Sequence, residues 1–161
     1  VKDFADILRS RTIGLVLPRE DDDQINRYVA MHSSGRQDIE NRPFRRQVDF
    51  WAFCIGTALA RNLDLREGAV SKWGKSFIYT NQGIIDNDLG SLLAVITVSR
   101  LGHQDSGIDE PGRIIELANR LAGAGCSVVL KELAKPDLRT TPLDRVLEFA
   151  TGMQEKMKSV C

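Results

Sequence analysis

Several stretches of this chain carry side chains whose types and spacing could do chemistry. Trp73-Gly74-Lys75-Ser76 has the ending of a phosphate loop, in which backbone amides wrap a phosphate and the lysine neutralises it. That loop needs a glycine five positions before Gly74; the residue there is Ala69, and Gly68 lies one position too far away. The preceding stretch, 61–67, is polar where an apolar strand is required, so nucleotide hydrolysis is not expected. A second group is Arg36, Arg42, Arg45 and Arg46, followed by Arg66, Lys72 and Lys75 with Trp73 among them. Guanidinium groups contact phosphates and an exposed indole stacks on a base, so Arg42, Arg45, Arg46, Lys72, Trp73 and Lys75 form a candidate nucleic-acid contact. Asp38, Glu40, Asp49, Asp64 and Glu67 dilute the cations, and a solvated face laced with ion pairs accounts for the same residues. So does a contact for an acidic protein.

Metal and nucleophile chemistry find less. His32 and His103 are the only histidines, neither has a second ligand at helical spacing, and the cysteines are scattered. Asp86 with Asp88, or Asp21–Asp23, could hold a cation, but acidic residues also suit helix starts. No serine or cysteine has a recognisable base beside it. No metal and no cofactor is expected. Arg27 and His32, however, form an R-x4-H pair that resembles the active-site motif of the helical HEPN ribonucleases. The resemblance covers these two positions and implies action on an RNA backbone, usually across a dimer interface. The family favours a polar residue directly after the arginine, where this chain has Tyr28.

The elements that must position these residues are helical. The segment Pro43–Leu63 carries Phe44, Val48, Trp51, Ile55 and Leu59 at helical spacing, and Phe50, Phe53 and Cys54 widen the stripe around most of the circumference. A helix apolar nearly all round is enclosed by other elements, so this is expected to be the central helix of the fold. Pro43 is expected in its first turn, where a missing N–H is no loss. Ala52, Gly56 and Ala60 lie on one line of it, as in a tight internal helix crossing or, more sharply, a dimer seam.

Around it, Asp3 can cap a short helix with Phe4, Ile7 and Leu8. Residues 13–17 form a brief strand or extended segment that Pro18 ends, and Phe77-Ile78-Tyr79 a second short strand. The acidic run Glu20–Asp23 heads a helix with Ile25, Tyr28 and Val29. Asn87 or Asp88 starts a helix that ends before Gly102, and Asp109 and Pro111 start the next. Gly123 and Gly125 predict a break before a further short helix, Cys126–Leu133, and Thr141-Pro142 opens the last. Six or seven helices with little or no strand make an all-α bundle, a single helical domain over 1–161.

Composition agrees. At 161 residues, 42% hydrophobic and 27% charged, the chain can bury a core without disulfides or metal. Lys plus Arg and Asp plus Glu are 22 each, so global charge recommends no polyanion and only weakly opposes self-association. Three unpaired cysteines, Cys54, Cys126 and Cys161, favour a reducing cytoplasm, with Cys161 exposed or disordered at the terminus. The longest apolar run, Phe50–Ala60, falls short of the ~20 residues a membrane span needs. The N-terminal stretch has no apolar signal core, and the sequence begins at Val1 rather than Met.

Pro43-Phe44 followed by Val48–Gly56 resembles a segment of the small helical accessory proteins of bacterial Dnd-type DNA phosphorothioation and related defence systems. The match spans one helix and implies an accessory role beside a DNA-modification or restriction complex, with no catalytic residues to carry over. The expectation is therefore a non-enzymatic cytoplasmic adaptor with a protein partner. The alternatives are a nucleic-acid-binding regulator using the Arg/Lys patch, and a ribonuclease using Arg27 and His32. DNA or RNA and a second copy of the chain stay open as partners; a membrane does not.

Overall fold

The computed structural model describes residues 4–30, 38–83, 85–101 and 110–159. Within them the chain forms α1 (Phe4–Arg9), β1 (Gly14–Leu15), a 3-10 turn at Arg19–Asp21, α2 (Asp22–Tyr28), α3 (Gln47–Ala60), a 3-10 turn at Val70–Lys72, β2 (Ile78–Tyr79), α4 (Asn87–Leu101), α5 (Pro111–Leu133) and α6 (Pro142–Lys158). The fold is all-α with one minimal antiparallel sheet, in which Gly14 faces Tyr79 and Leu15 faces Ile78. The two expected strand segments are thus present, each cut to two residues.

Helix α3 is central. None of its fourteen residues is exposed, and Phe50, Trp51, Cys54, Ile55 and Ala58 are fully buried. Its bounds are shorter than the apolar pattern suggests. Pro43 is not in the first turn, because the backbone around it is paired elsewhere. Phe44 donates its N–H to Tyr28 O (3.1 Å) and accepts from Ala30 N (2.8 Å), which holds the neighbourhood extended. The helix starts at Gln47 instead, where the Asp49 carboxylate accepts from the Arg46 backbone N–H at 3.0 Å. It ends at Ala60, and beyond the capping Arg61 comes Asn62, which takes a left-handed φ of 50°. Asn62 N–H then reaches Leu59 O (3.1 Å) and Leu63 N–H reaches Ala58 O (2.9 Å), the pairing that closes a helix through a left-handed residue.

Helix α5 corrects a second expectation. Gly123 and Gly125 do not break it; it runs unbroken from Pro111 to Leu133. Both glycines serve close approach. A Cβ on Gly125 would lie 1.9 Å from Cys54 O, and one on Gly123 would lie 2.8 Å from both Arg66 Cδ and the Trp73 ring. Trp51 meets Asn119, Cys54 meets Gly125 and Arg61 reaches Glu132. These contacts advance in the same sense along both helices, so α3 and α5 pack in parallel.

The remaining helices pack onto this pair. Helix α4 lies against α1, where Gly90 admits Ala5, and against α5. Helix α6 lies against α3 and α5, joined to α3 through the tilted ring pair Phe53–Phe149 at 5.9 Å. The small-residue line Ala52, Gly56 and Ala60 is not the tight crossing expected of it. All three are half-buried, and a Cβ on Gly56 would meet nothing within 4 Å. The close crossing uses the α5 glycine instead. No helix among the described residues is long and apolar enough to cross a membrane.

A candidate partner-binding groove

Helix α6 begins with a sequence-encoded cap. Thr141 donates its N–H (2.8 Å) and hydroxyl (2.9 Å) to the Asp144 carboxylate, and Asp144 N–H reaches back to Thr141 Oγ1 (3.2 Å). Those two donors hold the Asp144 carboxyl below the usual carboxylate range. One turn on, Arg145 donates from Nη1 to Glu132 O (3.3 Å) and Leu133 O (2.9 Å), satisfying the end of α5. The helix is therefore fixed at its start by hydrogen bonds, whereas its apolar side is poorly covered. Leu143, Val146, Phe149, Ala150 and Met153 are only half-buried, and no described side chain of α6 is fully buried.

Along one flank of α6 runs a groove of about 620 Å³, bounded by the C-terminal ends of α3 and α5. Ala60, Phe149, Gly152 and Met153 give it apolar surface; Arg61, Lys135, Arg145 and Lys156 face Glu132, Asp137 and Glu148 around it. The Arg61 guanidinium lies 4.5 Å from the Phe149 ring centre and 4.0 Å from Glu132, which also binds Lys135 Nζ at 2.7 Å. Gly152 has open space where a Cβ would sit. On the other flank, Leu143 N–H donates to Glu40 O at 3.0 Å, which brings exposed Ile39 and Leu147 to the same side. An apolar floor with charges of both signs at its rim suits an amphipathic segment of another protein.

The sequence-predicted residues distribute differently. Arg42 donates to Asn26 O and Val29 O at 3.1 Å each, tying the chain before α3 to the end of α2. Arg46 is held by Asp49 through Nε (3.2 Å) and Nη2 (2.7 Å). Arg45 is exposed. Trp73 is half-buried, packed against Gly123 with the Arg66 guanidinium 5.1 Å from its ring, so its face is already occupied. Arg66 is in turn paired with Glu20. Lys72 and Lys75 are exposed. Lys75 and Ser76 line a second hollow of about 690 Å³ beside Gly14, Asn119 and Arg120. They lead into a strand rather than a helix, so the loop lacks the helix N-terminus that a phosphate loop supplies. Arg46 lines a different hollow, with Asp49, Asp86 and Asp88. Arg27 is exposed in the last turn of α2, and His32, like Arg36, His103 and Cys161, lies outside the described residues.

Two buried polar groups have structural roles that sequence reasoning missed. Asn119, in the middle of α5, accepts from Val16 N–H (2.9 Å) and Trp51 Nε1–H (3.1 Å) and donates to Gly14 O (3.1 Å). A lone asparagine amid Ile114, Ile115, Ala118 and Leu121 was the available signal. Cys126 Sγ donates to Asp21 Oδ2 at 3.7 Å, while burial pushes the neighbouring Cys54 thiol well up and also raises Asp21. A thiol held in its protonated form is a poor nucleophile. Among the described residues no three His, Cys, Asp or Glu side chains gather as a metal site.

No protein-family model, curated protein or solved structure matches the chain.

Proposed function

We propose that the protein is a non-enzymatic helical adaptor that receives a segment of a protein partner along α6. One observation carries this reading: α6 is capped and anchored at its start, yet none of its described side chains is fully buried and a groove runs beside it. An amphipathic helix gains stability by covering its apolar side, and a partner segment laid in the groove would complete that cover. The resemblance of residues 43–56 to accessory proteins of DNA phosphorothioation supports an assembly that modifies or restricts DNA as the setting. The basic residues support nucleic-acid binding less well, since Arg42, Arg46 and Trp73 are already engaged within the fold.

Gly152 offers a clean test. Gly152→Trp sets an indole at the groove from a position where a Cβ would meet nothing within 4 Å, and replacing a helical glycine favours the helix. The variant is expected to melt no lower than the parent and to lose the protein that co-purifies from the native host. Unchanged co-purification would place the contact elsewhere. Salt-sensitive DNA or RNA binding that vanishes in Arg45→Ala, Arg46→Ala, or RNA cleavage that vanishes in His32→Ala, would replace the adaptor with a regulator or a ribonuclease.

A further inference from the structure

The hollow between β1, β2 and the first half of α5 lies toward the opposite end of α5 from the α6 groove, and its chemistry differs. Its volume of about 690 Å³ is in the range of small-molecule sites. Glu116, Asn119 and Arg120 line it from α5, and all three are engaged within the fold. Arg120 holds the Glu116 carboxylate through Nε (3.3 Å) and Nη2 (3.0 Å), and its Nη1 donates to Arg66 O at 3.0 Å. Asn119 has both ends of its carboxamide on Gly14, Val16 and Trp51. The lining side chains whose polar atoms have no partner among the described residues are Ser71, Lys75, Ser76 and Tyr79. Each of these four can donate a hydrogen bond, and Lys75 adds a full positive charge. The one lining carboxylate is already neutralised.

A hollow whose free side chains are all donors suits an oxygen-rich anion, and its apolar parts set what else the ligand carries. Gly14 lies between Ser76 and Tyr79. A Cβ there would collide with Ser76 Oγ and stand 3.6 Å from Tyr79 Cε1, so the missing side chain leaves hydroxyl and ring side by side. Tyr79 is 41% exposed and no described ring stacks on it. Ile13 and Val70 add apolar surface to the same hollow. We infer that the hollow binds a nucleoside monophosphate, with the phosphate on Lys75 and the serine hydroxyls and the base on Tyr79. The charge that matters is local. Lys72, three residues earlier, is equally without a partner among the described residues but does not line the hollow. Binding of this kind requires no phosphate loop: the ligand is held and not hydrolysed, since Arg120 keeps the Glu116 carboxylate from serving as a base.

The test is calorimetric titration of the full chain, in phosphate-free buffer at low ionic strength, with the monophosphates of adenosine, guanosine, cytidine and uridine. Ribose phosphate is the probe without a base, and a thermal melt of each variant is the control for folding. At least one nucleotide is expected to bind at a single site per chain, and more tightly than ribose phosphate. Lys75→Ala is expected to weaken nucleotide and sugar phosphate alike by about tenfold or more. Tyr79→Ala is expected to weaken the nucleotide by about fivefold or more and to leave ribose phosphate unchanged, a split that general loss of structure would not produce. Lys72→Ala changes either by less than about twofold, because it stands outside the hollow. Gly152→Trp leaves nucleotide binding intact, which separates this site from the α6 groove. No binding of any of the four nucleotides at millimolar concentration would overturn the inference. So would ribose phosphate binding as tightly as the nucleotides, or Lys72→Ala proving as damaging as Lys75→Ala, which would mean diffuse surface charge in place of a site.

Discussion

Helices α5 and α6 both place apolar residues at helical spacing along one side, yet they are used differently. Fourteen of the 23 residues of α5 are buried, whereas no described side chain of α6 is. The difference lies in the small residues. Along α5, Ala118, Ala122, Gly123 and Gly125 let α3 and Trp73 approach the helix backbone, and the large side chains between them sink into the gaps. The inner side of α6 has the larger Leu143, Val146, Phe149 and Met153, and its flanks are left uncovered by the described residues. Amphipathic spacing selects which side of a helix turns inward; the size of the residues on that side decides how deep it goes.

The most forceful way to break this contrast is to remove the depth of α5. Gly125→Ala sets a methyl 1.9 Å from the Cys54 carbonyl oxygen, and that oxygen belongs to the backbone of the central helix and cannot swing aside. The loss in stability is expected to exceed about 3 kcal/mol, the upper range of ordinary overpacking. Gly56→Ala should do the reverse, stabilising α3 by about 0.5–1 kcal/mol because its Cβ meets nothing and helical glycine carries an entropic cost. Denaturant melts of the two variants measure both signs at once. Equal destabilisation by the two would show that helix propensity, not close approach, governs these positions.

Asn119 ranks next. It bridges α5 to both α3 and β1, and Asn119→Ala would strip partners from the Val16 N–H, the Trp51 indole N–H and the Gly14 carbonyl. Two buried donors left unsatisfied place the expected cost at about 2–3 kcal/mol. Since these hydrogen bonds lie away from α6, the partner proposed for its groove should still bind at temperatures where the variant is folded. The readout is a denaturant melt together with partner capture by the same sample.

How much of this was legible beforehand follows from the same physics. The enclosure of α3 was visible in Phe50, Trp51, Cys54 and Ile55, because a helix with no polar side has nowhere to face but inward. Its limits were not. Pro43 looked like a helix start, but the pairing of Phe44 with Tyr28 and Ala30 draws on residues sixteen and fourteen positions away, which local pattern does not register. Gly123 and Gly125 looked like a stop for a related reason: a glycine read alone suggests a turn, and only the neighbour across the crossing shows that it makes room. The groove was hidden more deeply still. Phe149 and Val146 resemble core residues by spacing, and their half-exposure depends on how far α6 stands from α3 and α5. The cationic residues were visible as types, but whether a guanidinium is free depends on partners such as Asp49, Asn26 and Val29 that only the fold supplies.

The smallest effect expected separates α6 from the core by pH. Asp144 has its folded pKa lowered by the Thr141 N–H and hydroxyl, so it contributes stability above its ordinary value of 3.8 and loses that contribution as pH falls through the lower folded value. Asp21, partly buried beside Cys126, has the opposite sign. Burial raises its pKa, so stability falls as pH rises from 3.8 through the folded value, and its charged form is a cost at neutral pH. Asp144→Asn should therefore melt slightly below the parent near pH 7, and the gap should close in acid, where the parent carboxyl is itself protonated. Asp21→Asn should melt at or above the parent near pH 7, with that advantage fading in acid, provided the Cys126 thiol finds the amide oxygen in place of the carboxylate. Melting curves of the three proteins across this range would show two differences of opposite sign. If both followed the same direction, the cap on α6 would contribute nothing of its own, and the anchoring of that helix would rest on Arg145 at the end of α5.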